Sequence, residues 1–160
     1  MFVLDDLYVS EEVLDYLEQS QEPVLDTPAA RRHAQKRDLV ICGPEKARSL
    51  VGQGGQRICA LSEMHLEEAK QVCDDETVRA IDLCKDKADF RRALSPLYPD
   101  YVFEEFTQQG LATLDPSDVK YPVVIKPSTG FFSLGIYPVF DEEDWRKALA
   151  DIAEHSSTWS

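Results

Sequence analysis

Short β-branched or leucine-containing runs alternate with amphipathic stretches along the first half of the chain, which predicts small strands connected by helices. Residues 2–4 form a first strand closed by Asp5 and Asp6. Ser10 is a helix start, although the Ser-x-x-Glu box is not met because position 13 is Val, and Val13, Leu14 and Leu17 give that helix its apolar stripe to about Glu18. Pro23-Val24-Leu25 reads as a second strand. Thr27-Pro28 opens the next helix, with Thr as cap and Pro tolerated in the first turn. Leu39 to Cys42 fits a third strand or a helix tail equally well. After the break at Gly43-Pro44, Glu45 to Leu50 reads as a short helix and Arg57 to Leu61 as a strand.

In the second half, helices are predicted over Met64 to Cys73, with Ser62 as cap, and over Asp75 to Leu83. A further helix runs from Asp86 or Lys87 to Leu94 and is ended by Pro96 and Pro99. Tyr101 to Phe106 alternates enough for an edge strand. Gly110 to Lys120 is a short helix or turn. Val123-Val124-Ile125 is a buried strand bounded by Pro122 and Pro127, and Ile136 to Phe140 is its hairpin partner. Glu142 to Glu154 is an amphipathic helix with Trp145, Leu149 and Ile152 on one stripe.

This alternation predicts an α/β fold with a parallel sheet in a small Rossmann-like layer over residues 1–83, followed by an α+β segment over 84–160. The 160 residues, 43% hydrophobic and 29% charged, suit one ordinary domain or two small ones. Thirty acidic against 17 basic residues give a net charge of −13. That balance argues against nucleic-acid or anionic-membrane partners, whose phosphates are held mainly by Lys and Arg. The first residues lack the basic and apolar regions of a secretory signal, and no run approaches the roughly 20 apolar residues of a membrane span. A cytoplasmic location is the expectation. Cys42, Cys59, Cys73 and Cys84 show no Cys-x-x-Cys pair and read as buried reduced thiols, and His65 reads as an ordinary, partly exposed helix-face residue.

Lys126 stands at the exit of an apolar strand, where an ammonium is hard to explain as packing. The loop after it carries Ser128, Thr129 and Ser133 as hydroxyl donors, and Gly130 and Gly135 allow close backbone approach, a combination that suits phosphate. Gly52-Gln53-Gly54-Gly55 lacks the Gly-x-Gly-x-x-Gly spacing and reads as a polar turn. Lys85, Lys87, Arg91 and Arg92 make a basic patch at a helix start, where the helix dipole favours anions. The four acids Asp141 to Asp144 complement the dipole of the helix they open and are not read as a metal site.

Asp86-Lys87, Phe90-Arg91-Arg92 and, some thirty residues later, Tyr-Pro-Val-Val-Ile-Lys-Pro-Ser with a loop containing Gly130, Ser133 and Gly135 resemble the front of an ATP-grasp domain. Residues 1–83 resemble, by architecture, the pre-ATP-grasp domain that precedes it. The resemblance implies ATP and Mg2+ as cofactors and the joining of a carboxylic acid to an amine through an acyl phosphate. Carried onto this sequence, Lys126 corresponds to the strand lysine that contacts the α-phosphate and the adenine edge, and Lys87 to the earlier lysine that reaches the phosphates. The segment with Ser128, Thr129, Gly130, Ser133 and Gly135 corresponds to the flap over the β and γ phosphates.

Two departures qualify the resemblance. Phe131 and Phe132 stand where many members have consecutive glycines, and either pack under the flap or serve as core aromatics of a hairpin turn. The adenine hinge, the metal-binding Glu and Asn and most of the substrate pocket follow, in the family, the helix that ends here near Glu154. Glu104-Glu105-Phe106 looks like a hinge phrase but precedes Lys126, so it is assigned to the edge strand. The expectation is the N-terminal part of an ATP-dependent carboxylate-amine ligase, inactive alone, with no catalytic residue of its own and with metal ligands outside this chain. A noncatalytic protein-interaction module and an ATP-grasp-like phosphotransferase remain as alternatives.

Overall fold

The apolar runs near the N-terminus pair side by side, all pointing the same way. β1 (Phe2–Val3), β2 (Val24–Leu25), β3 (Ile41–Cys42) and β4 (Cys59–Ala60) form one parallel sheet in the order β3-β2-β1-β4. Phe2 stands opposite both Val24 and Cys59, and Val24 and Leu25 stand opposite Ile41 and Cys42. The computed structural model describes residues 1–53, 55–130 and 133–155 and divides the chain into two units, residues 1–82 and 83–160.

In the first unit the period of two along each strand sorts the side chains into two cores. Val3, Leu25 and Cys42 pack with Ala47, Ala69 and Val72, while Leu4 and Val24 pack with Leu14, Leu17, Ala30 and Leu39. The helices α1 (Glu11–Ser20) and α2 (Pro28–Ala34) therefore cover one face, and α3 (Pro44–Arg48) and α4 (Leu66–Lys70) the other. The switch of face follows from topology. The chain steps outward from β1 to β3 and then returns to add β4 on the far side of β1, so the right-handed crossover between β3 and β4 puts α3 on the opposite side, where α4 joins it after β4.

Local signals set the helix starts. The Ser10 hydroxyl accepts the Val13 N–H at 3.4 Å, and the Thr27 hydroxyl accepts that of Ala30 at 3.1 Å, with Pro28 in the first turn. Residues 41–42 resolve as strand. Arg48 leads into a π-helical turn, Ser49–Gln53. Ser62 departs from expectation. It makes no side-chain cap, because its hydroxyl donates instead to the buried carboxylate of Asp5. The cysteines are also not uniformly buried: Cys42 is, but Cys59 and Cys84 are exposed, and all four are free thiols.

The division between the units falls within α5 (Asp75–Lys85). The second unit comprises α6 (Lys87–Leu94), α7 (Gln108–Thr113), a 3-10 turn at Pro116–Asp118, the hairpin strands β5 (Val123–Ile125) and β6 (Tyr137–Val139), and α8 (Glu142–Glu154). β5 and β6 are antiparallel, with Val123, Val124 and Ile125 opposite Val139, Pro138 and Tyr137. Asp141 caps α8 by accepting the N–H groups of Glu143 and Asp144 at 2.9 and 3.0 Å. Trp145, Ala148 and Ile152 of that helix pack on Ile125, Val139 and Leu111, so one face of the hairpin is covered. The other face is open, with Val124, Ile136 and Phe140 exposed.

Residues 101–106 are not a strand. Val102 is 84% exposed, Arg92 pairs with Glu105, and the Arg91 guanidinium stacks 4.2 Å from the Tyr101 ring centre. Alternation alone does not make a strand where no neighbouring ladder accepts the backbone. Among the described residues no helix is long and apolar enough to cross a membrane.

Candidate functional site

The hairpin of the second unit sets Lys126 at the end of β5, one residue beyond the buried Ile125. Alternation carries Lys126 to the side of Val124, the open side, and its exposed ammonium makes no hydrogen bond or ion pair with any described residue. Buried Pro127 then turns the chain, and Thr129 and Gly130 are exposed. Gly130 has φ +156°, and a Cβ there would lie 3.2 Å from Pro127 Cγ, so the side-chain-free residue is used. Ser133 and Gly135 have φ of 58° and 71°, left-handed conformations in the turn that precedes β6. Phe131 and Phe132 lie outside the described residues, so neither reading of that pair bears on the geometry.

Lys87, 39 positions before Lys126 in the chain, reaches the same loop. Its N–H donates to the Ser128 carbonyl at 2.9 Å, and its ammonium lies 3.4 Å from that carbonyl and 3.3 Å from the Gly130 carbonyl. Those ammonium contacts are long. A Lys head has three donors, so one remains for an anion. The Ser128 hydroxyl donates to Asp86 Oδ2 at 2.6 Å, which leaves Ser128 its lone pairs but commits its proton. Lys87, Ser128 and Gly130 thus stand in direct contact, while Lys126, Thr129, Ser133 and Gly135 present themselves along the same loop without mutual bonds.

Asp86 is the polar group that pattern reading passed over as a site residue. Its Oδ1 accepts the N–H groups of Ala88 at 2.8 Å and Asp89 at 2.9 Å, capping α6. The Ser128 hydroxyl, followed by the Asp89 N–H, holds its carboxyl below the ordinary value of 3.8 against the opposing effect of burial. The Asp86-Lys87 dipeptide was one available signal, since Asp before a helix is a cap. The Ser128 partner was not, because it lies 42 positions away.

A second polar cluster occupies the first unit, at the carboxyl ends of β1 and β4, the switch point where open α/β sheets bind ligands. Asp5, 3% exposed, accepts the N–H groups of Leu7 at 2.7 Å and Tyr8 at 3.2 Å and the Ser62 hydroxyl at 2.6 Å. His65 Nε2 lies 3.3 Å from its Oδ2, and His65 Nδ1 lies 3.3 Å from Glu68. His65 is partly exposed, as its sequence position suggested, and it stands beside Asp5. Here the chain satisfies Asp5 with its own groups.

The described residues do not fit a magnesium site beside Lys126. The carboxylate that touches the loop, Asp86, is committed to Ala88, Asp89 and Ser128. One group of three potential ligands occurs among the described residues, Asp151, Glu154 and His155, all exposed on the last turn of α8. It includes an imidazole, whereas Mg2+ takes oxygen ligands in octahedral geometry. Asp151 also accepts the Tyr137 hydroxyl on the covered side of the hairpin, away from the Lys126 face.

Residues 119–160 match the family model of the ATP-grasp domain, a span that contains the hairpin, Lys126, the loop and α8. That match bears out the resemblance to the ATP-grasp superfamily and, at the level of the family, ATP binding. No curated protein and no solved structure matches the chain.

Proposed function

From an ATP-grasp segment at residues 119–160, we propose that the chain is the N-terminal part of an ATP-dependent carboxylate-amine ligase, with residues 1–83 as its pre-ATP-grasp domain and 84–160 as the start of its ATP-grasp domain. The observation that carries this reading is Lys126. It is a lysine at the exit of β5, a strand buried on one face only, and it lies on the open face of the hairpin with no partner among the described residues. A side chain so placed has no structural task, and a phosphate would give it one.

In this reading ATP supplies the phosphoryl group that activates a carboxylate for attack by an amine. Lys126 and the third donor of the Lys87 ammonium neutralise phosphate charge, and the backbone N–H groups of the exposed residues Thr129 and Gly130 with the hydroxyls of Thr129 and Ser133 orient the oxygens. Ser128 holds the loop and offers lone pairs. In this reading the magnesium ligands and the turnover belong to a part of the protein that follows residue 160. Location in the cytoplasm fits an ATP-consuming enzyme.

The test is a titration of the isotope-labelled chain with ATP. The amide signals of residues 126–130 should shift, and Lys126→Ala should abolish the shifts while the protein stays folded. Shifts that persist in Lys126→Ala would remove Lys126 from the site. Ligase turnover by the chain alone would contradict the division of labour.

The exposed Leu97, Tyr98 and Val102, at 71%, 61% and 84%, favour a second reading, a noncatalytic interaction module. It predicts that Lys87→Ala and Lys126→Ala leave partner binding unchanged. A phosphotransferase using the same lysines would yield a phosphoester instead of an amide.

A further inference from the structure

Asp86 does two jobs with one carboxylate. Oδ1 caps α6 through Ala88 and Asp89, and Oδ2 receives the Ser128 hydroxyl. Between these bonds lies Lys87, whose own N–H is fixed to the Ser128 carbonyl at 2.9 Å. The first turn of α6 and the first residue after Pro127 are therefore joined by a side-chain bond and a backbone bond from consecutive residues. A single long contact would leave the Lys87 ammonium free to swing. With both bonds made, its backbone cannot move without carrying Ser128 along.

We propose that Asp86 is a positioning residue: through Ser128 it locks the α6 start and the loop start into one piece, so that the Lys87 ammonium is set against the 128–130 backbone before a phosphate ligand arrives. This proposal rests on the nucleotide reading of the same site. Pre-placement matters because an ordered ammonium loses less freedom when it binds than a mobile one does. Acid strength adds support, since the carboxyl stays ionised well below neutral pH.

The test uses the 160-residue chain and separates the latch from the ligand. Ser128→Ala removes the Oγ bond but leaves the Asp86 cap. Asp86→Asn keeps both, because Asn caps as well as Asp and its amide can donate to the Ser128 hydroxyl. In the ligand-free protein the Lys87 amide should exchange with solvent about tenfold faster in Ser128→Ala, the size expected for losing a hydrogen bond to a charged group. In Asp86→Asn it should stay near the wild-type rate, and in both variants the amides of β5 should be unchanged. An unchanged Lys87 amide in Ser128→Ala overturns the latch.

Titration with ATP then decides whether the latch acts through Lys87. Lys87→Ala and Ser128→Ala should each weaken ATP binding, and the double variant should be no weaker than Lys87→Ala. Losses that multiply mean that Ser128 meets ATP independently, and they overturn the positioning role. If the wild type gives no ATP response, the nucleotide reading fails, while the exchange rates still decide the latch.

Discussion

The Ser62 hydroxyl donates to Asp5 across 2.6 Å and ties the exit of β4 to the exit of β1, two strands that neighbour each other in the sheet but lie 57 positions apart in the chain. A carboxylate at 3% exposure is costly unless its lone pairs are filled, and the Ser62 hydroxyl and the Leu7 and Tyr8 N–H groups fill them, with His65 Nε2 3.3 Å away. Asp5→Ala leaves the two backbone N–H groups and the hydroxyl without their acceptor. It should cost about 1–3 kcal/mol or more, measured by urea unfolding at neutral pH.

The same pair sets an acid limit on stability. Burial works to raise the Asp5 carboxyl, but the Ser62 hydroxyl, the Leu7 and Tyr8 N–H groups and His65 outweigh it and hold the folded value below 3.8. A carboxyl depressed in the folded state contributes stability that is complete above its unfolded value and disappears as pH falls through the folded one. Urea midpoints of the wild type should therefore decline below about pH 4, and Asp5→Asn should flatten that decline. A variant curve parallel to the wild type would assign the acid loss to other carboxylates.

Much of the scaffold was legible because its causes are local. Ser10 and Thr27 cap the helices that follow them, the acids from Asp141 on mark the start of α8, the β-branched run at residues 123–125 marks a strand, and the stripe of Trp145 and Ile152 marks the buried side of α8. The candidate site was marked at Lys126 for a negative reason, a cation with no packing role at a strand end. What escaped was set by tertiary neighbours. Ser62 had two uses open to it, cap or Asp5 ligand, and only the β1–β4 pairing decides between them. Asp86 read only as the edge of a helix and part of a motif, because its cap and its bond to Ser128 depend on where α6 starts and on the hairpin bringing Ser128 to it. Tyr101 to Phe106 showed the reverse, a strand-like pattern with no strand to pair with.

Gly130→Ala isolates the backbone contribution of the loop. At φ +156° an alanine is strained, and its Cβ would stand 3.2 Å from Pro127 Cγ, on a ring that cannot swing aside like a flexible chain end. The strain should cost about 1–3 kcal/mol locally. It should displace the Gly130 carbonyl from the Lys87 ammonium and weaken ATP binding, with the β5 amide signals retained. Affinity equal to the wild type would show that the conformation at Gly130 has no part in ligand binding.

Tyr137 gives an alkaline counterpart to Asp5. It stands opposite Ile125 in the hairpin and donates its hydroxyl to Asp151 of α8, linking the sheet to the helix that covers it. That bond, then burial and the Asp151 charge, push the phenol from 10.0 up to about 12. A group raised in the folded state contributes stability that is complete below its unfolded value and lost as pH rises through the folded one. The hairpin–α8 contact should thus weaken between about pH 10 and 12, and Tyr137→Phe should be less stable than the wild type at pH 8 but lack this alkaline loss. Ultraviolet titration checks the assignment directly: one tyrosine of the wild type should ionise last, near pH 12, and that step should be absent from Tyr137→Phe.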